Sequence, residues 1–236
     1  MLRIAVLASG SGSNLQVIID HLHRHLDARD AAVVVSNVLG ALALERAERA
    51  DIPTAVFPLE DHLGTEAATQ AAEHAGTQAA IQPGGWAARH ARDQAMAEAI
   101  EAAEVDLVVL AGYMHMLTSE FLDRFPHRVI NLHPALLPAF PGVHGIEDAL
   151  RYGAKVTGVT VHFVDAGMDT GPLIAQEALP VHEDDTAASL AARIHALEYR
   201  VLPRVIELFA LRKISPPEPG SRRVRVDDDG VSQIVW

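Results

Sequence analysis

Ile4-Ala5-Val6-Leu7-Ala8 runs without a break into Ser9-Gly10-Ser11-Gly12-Ser13-Asn14, and a helical pattern follows to His25. Five apolar residues in succession read as a strand buried on both faces. The glycines allow a tight turn, and Asn14 is a good helix cap. A strand, a glycine loop and a helix in that order open a βαβ unit.

The rest of the chain repeats the alternation. Ala31–Ser36, Thr54–Phe57, Leu107–Leu110, Val129–Leu132 and Val156–Phe163 are further strand candidates. Asn14–His25, Ala41–Ala50, Ala87–Ala103 and Ser119–Phe125 read as helices. Right-handed crossovers then give an α/β fold: a single-domain, Rossmann-like, open and mostly parallel twisted sheet with helices on both faces. Ligands of such sheets bind beyond the carboxyl ends of the strands. Residues 61–86, rich in Ala, Gln, Gly and Thr, read as a surface insertion. The segment 215–236 opens on Pro216-Pro217-Glu218-Pro219-Gly220 and reads as a C-terminal tail or hairpin.

Bulk composition narrows the function. A chain of 236 residues with 49% hydrophobic content suits one domain with a full core. The net charge of −12 argues against a partner bound through phosphate backbones, which Lys and Arg must grip. Cationic clusters are few; Arg222, Arg223 and Arg225 lie in the C-terminal segment. The absence of cysteine excludes a disulfide scaffold, a thiolate metal site and a Cys nucleophile. The first apolar run is far shorter than the roughly 20 residues of a membrane span and lacks a signal-peptide layout. No membrane partner and a cytoplasmic location are expected.

Three stretches carry chemistry. The loop Ser9–Asn14 opens a helix, whose free N–H groups and dipole suit a small phosphate. It lacks the third glycine of a dinucleotide loop and the Gly-Lys-Ser/Thr of a Walker loop. The second stretch is Asn131-Leu132-His133-Pro134-Ala135-Leu136-Leu137-Pro138. Asn131 and His133 are two apart on a strand and face the same way. Together they suit a carbonyl oxygen that becomes an oxyanion. The third runs from His162-Phe163-Val164 to Asp169-Thr170-Gly171-Pro172. Asp169 is the expected partner of His133, favouring its protonated ring. A metal is not expected: His21, His23 and His25 are spaced wrongly for one helical face and lack a ligand framework.

With Leu110-Ala111-Gly112-Tyr113-Met114 added, these stretches resemble the phosphoribosylglycinamide formyltransferase family, folate-dependent enzymes of purine synthesis. The likeness covers most of residues 2–213 and makes residues 1–214 a formyltransferase domain. It implies transfer of a formyl group from the cosubstrate 10-formyltetrahydrofolate to the amine of glycinamide ribonucleotide. It implies Gly12, Ser13 and Asn14 at the substrate phosphate, and Glu198 at the substrate amine or sugar. It implies Asn131 and His133 on the formyl group, with Asp169 tuning His133. Arg89 (from an Arg-x-x-x-Asp helix start), Met114, His115, Met116, Leu117 and Asn131 would line the folate site. His144 and His162 would support them. The chain departs from the family at His115, where Arg is usual, and at Ala135, where Ser is usual; each removes an expected polar contact. Both partners are then small molecules, no nucleic acid is involved, and a homodimer stays open. Methionyl-tRNA formyltransferase is expected to need a longer, basic C-terminus. Formyltetrahydrofolate hydrolase is expected to need an extra N-terminal domain. A phosphate-binding module leaves Asn131, His133 and Asp169 unexplained.

Overall fold

A computed structural model describes residues 2–25, 31–62 and 85–227. Its elements are β1 (Ile4–Leu7), α1 (Ser13–His25), β2 (Ala31–Ser36), α2 (Leu42–Arg49), β3 (Thr54–Val56), a 3-10 turn (Leu59–His62), α3 (Gly85–Ala102), β4 (Leu107–Leu110), α4 (Ser119–Arg124), β5 (Val129–His133), α5 (Gly145–Tyr152), β6 (Val156–Phe163), β7 (Leu173–Pro180), α6 (Ala187–Ala210), β8 (Ile214–Ser215) and β9 (Arg225–Val226).

Seven strands form one sheet in the order β3-β2-β1-β4-β5-β6-β7. The pairs from β3 to β5 are parallel. Alternation along each strand sorts the side chains into two cores. Ile4, Val6, Val34, Val109 and Ile130 face α1, α2 and α6. Ala5, Leu7, Val35, Val108 and Val129 face α3 and α4. The strand order reverses between β1 and β4, so their exit loops diverge and leave a crevice. Two bonds tie those loops together: Ser9 N–H to the Gly112 carbonyl at 3.0 Å, and Met114 N–H to Ser9 Oγ at 3.0 Å.

The mostly parallel sheet is as expected, and several elements go beyond the sequence reading, helix α5 among them. β6 runs antiparallel to β5, with Asn131 opposite His162 and His133 opposite Thr160. β7, unread in the sequence, pairs antiparallel with β6. Its outer positions are part-polar (Gln176, Glu177), which blurs the apolar signal of a buried strand. Helix α6 was also unread; Thr186 and Ser189 cap it reciprocally, and Pro203 interrupts its interior. At the expected insertion, residues 59–62 form the 3-10 turn and Gly85 and Trp86 already belong to α3; residues 63–84 lie outside the described residues. In the expected tail, β8 pairs with β9, and residues 228–236 lie outside the described residues.

Candidate active site

Asn131 and His133 point from β5 to the same face of the sheet, and His162 stands beside them on β6. Because β6 is antiparallel, its exit loop leaves from the edge where β5 begins. It folds back across the face to deliver Asp169, which sits at φ +53°. The loops after β5 and β6 therefore leave from opposite edges of the sheet. They close over the face between them.

Asp169 is the hub. Its Oδ1 lies 3.3 Å from Asn131 Nδ2 and 3.6 Å from His162 Nε2. Its Oδ2 accepts from Gly142 N at 2.7 Å and lies 3.4 Å from His133 Nδ1. Burial would raise the Asp169 pKa, but His162, the Gly142 N–H and His133 outweigh it and hold the carboxyl below its usual value. His162 Nδ1 donates to the Phe163 carbonyl at 2.8 Å, and its Nε2 lies 3.2 Å from Asn131 Nδ2.

His133 corrects an expectation. Burial lowers its pKa, and the upward pull of Asp169 and the Phe140 carbonyl does not overcome it. The ring rests neutral, not as the imidazolium that a neighbouring carboxylate suggested. Geometry agrees. Nε2 donates to the Phe140 carbonyl at 2.8 Å. The 3.4 Å from Nδ1 to Asp169 exceeds the ~2.8 Å of a charge-assisted bond. The turn after His133 is pinned by Thr160, a residue that drew no attention in the sequence. Its buried hydroxyl donates to the Ala135 carbonyl at 2.6 Å and accepts from Leu137 N at 3.1 Å and Gln176 Nε2 at 3.0 Å.

The first loop faces the same crevice. Helix α2 takes up its backbone: Ala43 N–H donates to the Gly10 carbonyl at 3.1 Å and Arg46 Nε to the Ser11 carbonyl at 2.8 Å. Gly12 has φ +66°, and a Cβ there would stand 2.7 Å from Ala43 Cα, so only glycine fits. The first intrahelical bond is Gln16 N–H to the Gly12 carbonyl at 2.9 Å. The N–H groups of Ser13, Asn14 and Leu15 thus have no acceptor within the helix. Asn14 Nδ2 donates to Glu198 Oε2 at 3.0 Å, while Asn14 Oδ1 is buried without a partner. His195 Nδ1 reaches the same Glu198 oxygen at 2.9 Å. Glu198 raises the His195 pKa against the opposing effect of burial. Sequence reading found Glu198 but not His195; its i, i+3 spacing to Glu198 was the available signal.

The expected folate residues divide. Met114 and Met116 are exposed, His115 is half-buried and Leu117 packs into the α3/α4 core, so the four do not form one wall. Arg89 is half-buried on α3. His144 is exposed at the start of α5. Arg92, absent from every expectation, is fully buried and lies 3.0 Å from His115 Nδ1. Among the described residues, no group of three or more His, Asp or Glu is placed to hold a metal. Nor is any helix there long and apolar enough to cross a membrane.

Comparison with known proteins places this arrangement. A family described as formyl transferase matches residues 2–206. The crystal structure of glycinamide ribonucleotide transformylase 1 from Symbiobacterium toebii aligns with a TM-score of 0.80 at 42% identity, over 97% of this chain and 95% of its own. A phosphoribosylglycinamide formyltransferase of Mycobacterium tuberculosis is 41% identical over 213 residues, 90% of this chain and 87% of its own length. One from Bacillus subtilis is 38% identical over 207 residues, 88% of this chain and 94% of its own. On this coverage the chain belongs to the formyl transferase family, among its phosphoribosylglycinamide formyltransferases.

Proposed function

We propose that this chain transfers the formyl group of 10-formyltetrahydrofolate to the amine of 5′-phosphoribosylglycinamide, in the cytoplasm, as a step of purine biosynthesis. The observation that carries the reading is the position of Asp169 between Asn131, His133 and His162, with the open amides of the first loop across the crevice. Residues 1–214 form the transferring unit.

The substrate phosphate sits on the N–H groups at Gly12, Ser13 and Asn14, where the helix dipole favours an anion. Glu198, fixed by Asn14 and His195, takes the amine or sugar end. Arg89 and the loop Met114–Leu117 receive the folate. The amine adds to the formyl carbon to give a tetrahedral intermediate, which then collapses as the bond from that carbon to the folate nitrogen breaks. Negative charge grows on the formyl oxygen. Asn131 holds Asp169 and His162 at 3.3 and 3.2 Å, long for amide bonds, so its amide turns readily to a better acceptor. His133 exchanges the Phe140 carbonyl for that oxygen, and Asp169 stabilises any positive charge the ring acquires. Asp169 also orders a water that carries the proton from the amine to the leaving nitrogen. No covalent enzyme intermediate is required.

An absorbance assay for folate deformylation, run with and without glycinamide ribonucleotide, tests the reading. Loss of the formyl group only when the amine is present is the expected result. Equal loss without the amine makes the chain a hydrolase. Phosphate-ligand binding with no folate chemistry makes it a binding module.

A further inference from the structure

Helix α3 grips the loop after β4 through two adjacent side chains. Arg92 is 0% exposed, and all three of its nitrogens are engaged. Nε and Nη2 both reach Asp93 Oδ1, at 2.8 and 2.6 Å. Nη1 lies 3.0 Å from His115 Nδ1. A guanidinium can only donate, so His115 Nδ1 must accept, with the ring proton on Nε2. Asp93, 1% exposed, spends its second oxygen on the Thr118 N–H at 2.7 Å. His115, Arg92, Asp93 and Thr118 thus close a ring around Met116 and Leu117. A buried ion pair rarely repays its own desolvation as stability. What this one supplies is the geometry of the loop.

We propose that Arg92 is the positioning residue for the loop 113–117 that receives the folate, and that it holds the loop only while His115 is neutral. This rests on the function proposed above. The groups facing His115 are Arg92, Asp93 and Arg89 from α3, Glu60 from the 3-10 turn and the Tyr113 ring 6.1 Å away. Burial first, then Arg92 and Arg89, push its pKa down; Asp93 and Glu60 push the other way without prevailing. The ring is therefore neutral near pH 7. Protonation fills Nδ1 with a hydrogen and sets a cation against the guanidinium. The latch then opens.

The test uses the full chain, with steady-state kinetics in both substrates and calorimetric binding of tetrahydrofolate. Arg92→Met should raise KM for 10-formyltetrahydrofolate by about tenfold while kcat stays within about twofold. KM for glycinamide ribonucleotide should not change. In the unaltered chain, KM for the folate should be flat above about pH 6.5 and climb as pH falls below it, through the lowered His115 value. His115→Asn keeps an acceptor for Arg92 but cannot titrate, so its folate KM, whatever its absolute value, should stay flat over that range. The same acid rise in His115→Asn overturns the proposal, even if Arg92→Met does not fold. So does a fall in kcat for Arg92→Met with folate KM unchanged. If the unaltered chain binds no tetrahydrofolate, the functional reading beneath fails as well. If it binds tetrahydrofolate and Arg92→Met binds equally well, only the latch fails.

Discussion

At the reaction end of the crevice, Asn131, His133, Thr160 and His162 stand on two strands that hydrogen-bond to each other. At the folate end, the loop 113–118 hangs from α3 by Arg92 and Asp93. The first arrangement has backbone ladders beneath its side chains, with Thr160 alone pinning the turn after His133. The second hangs mainly from a charged chain of four residues, with Met114 N–H on Ser9 Oγ as a further tie. Changes at the reaction end should therefore act on the chemical step with little loss of fold. Changes at the folate end should act on binding.

The largest effect that could break this contrast is Asp169→Asn. It keeps the shape but removes the charge that orients His133 and the relay water. Turnover should fall by about 10²–10⁴-fold, the usual scale for a positioned proton-transfer group, with both KM values and the melting temperature nearly unchanged. A fall in melting temperature matching that of a core mutation would show that the strands do not insulate the site. Next is Thr160→Val, which removes the buried hydroxyl, strands the Ala135 carbonyl and the Leu137 N–H, and leaves Gln176 Nε2 with the Leu137 carbonyl. It should cost about 1–3 kcal/mol in denaturant unfolding. Because the turn after His133 then loosens, some turnover should go with it.

The smallest effect is a dependence of stability on pH. His133 and His115 both have folded pKa values held below the usual histidine value of about 6.5. Between that value and their folded pKa values the unfolded chain binds more protons. Stability from these two residues is complete above about pH 6.5 and is lost as pH falls through their folded pKa values. His195 runs the other way: its contribution is present below about pH 6.5 and is lost as pH rises through its raised value. The acid fall in melting temperature should be shallower in His115→Asn than in the unaltered chain.

Much of the parallel half was legible because its strands are unbroken apolar runs closed by glycine or proline. Ile4–Leu7 and Leu107–Leu110 are read correctly for that reason. Asn131 and His133 were legible as a pair from strand alternation alone. The antiparallel half was not. β7 carries polar residues on an edge, and nothing in the sequence of β6 states which way it points. The neutral state of His133 was also out of reach, because it turns on burial against charge, and burial needs the fold. Arg92 is the extreme case. A residue type that nearly always faces water gave no local sign of being sealed between α3 and His115.

The direct measurement of formyl transfer carries carbon-13 in the formyl group of 10-formyltetrahydrofolate and follows it by NMR. A labelled formamide on the glycyl nitrogen of the ribonucleotide, appearing as fast as the folate loses its label, is the expected result. Labelled formate released into solution, with the ribonucleotide unmarked, would contradict it.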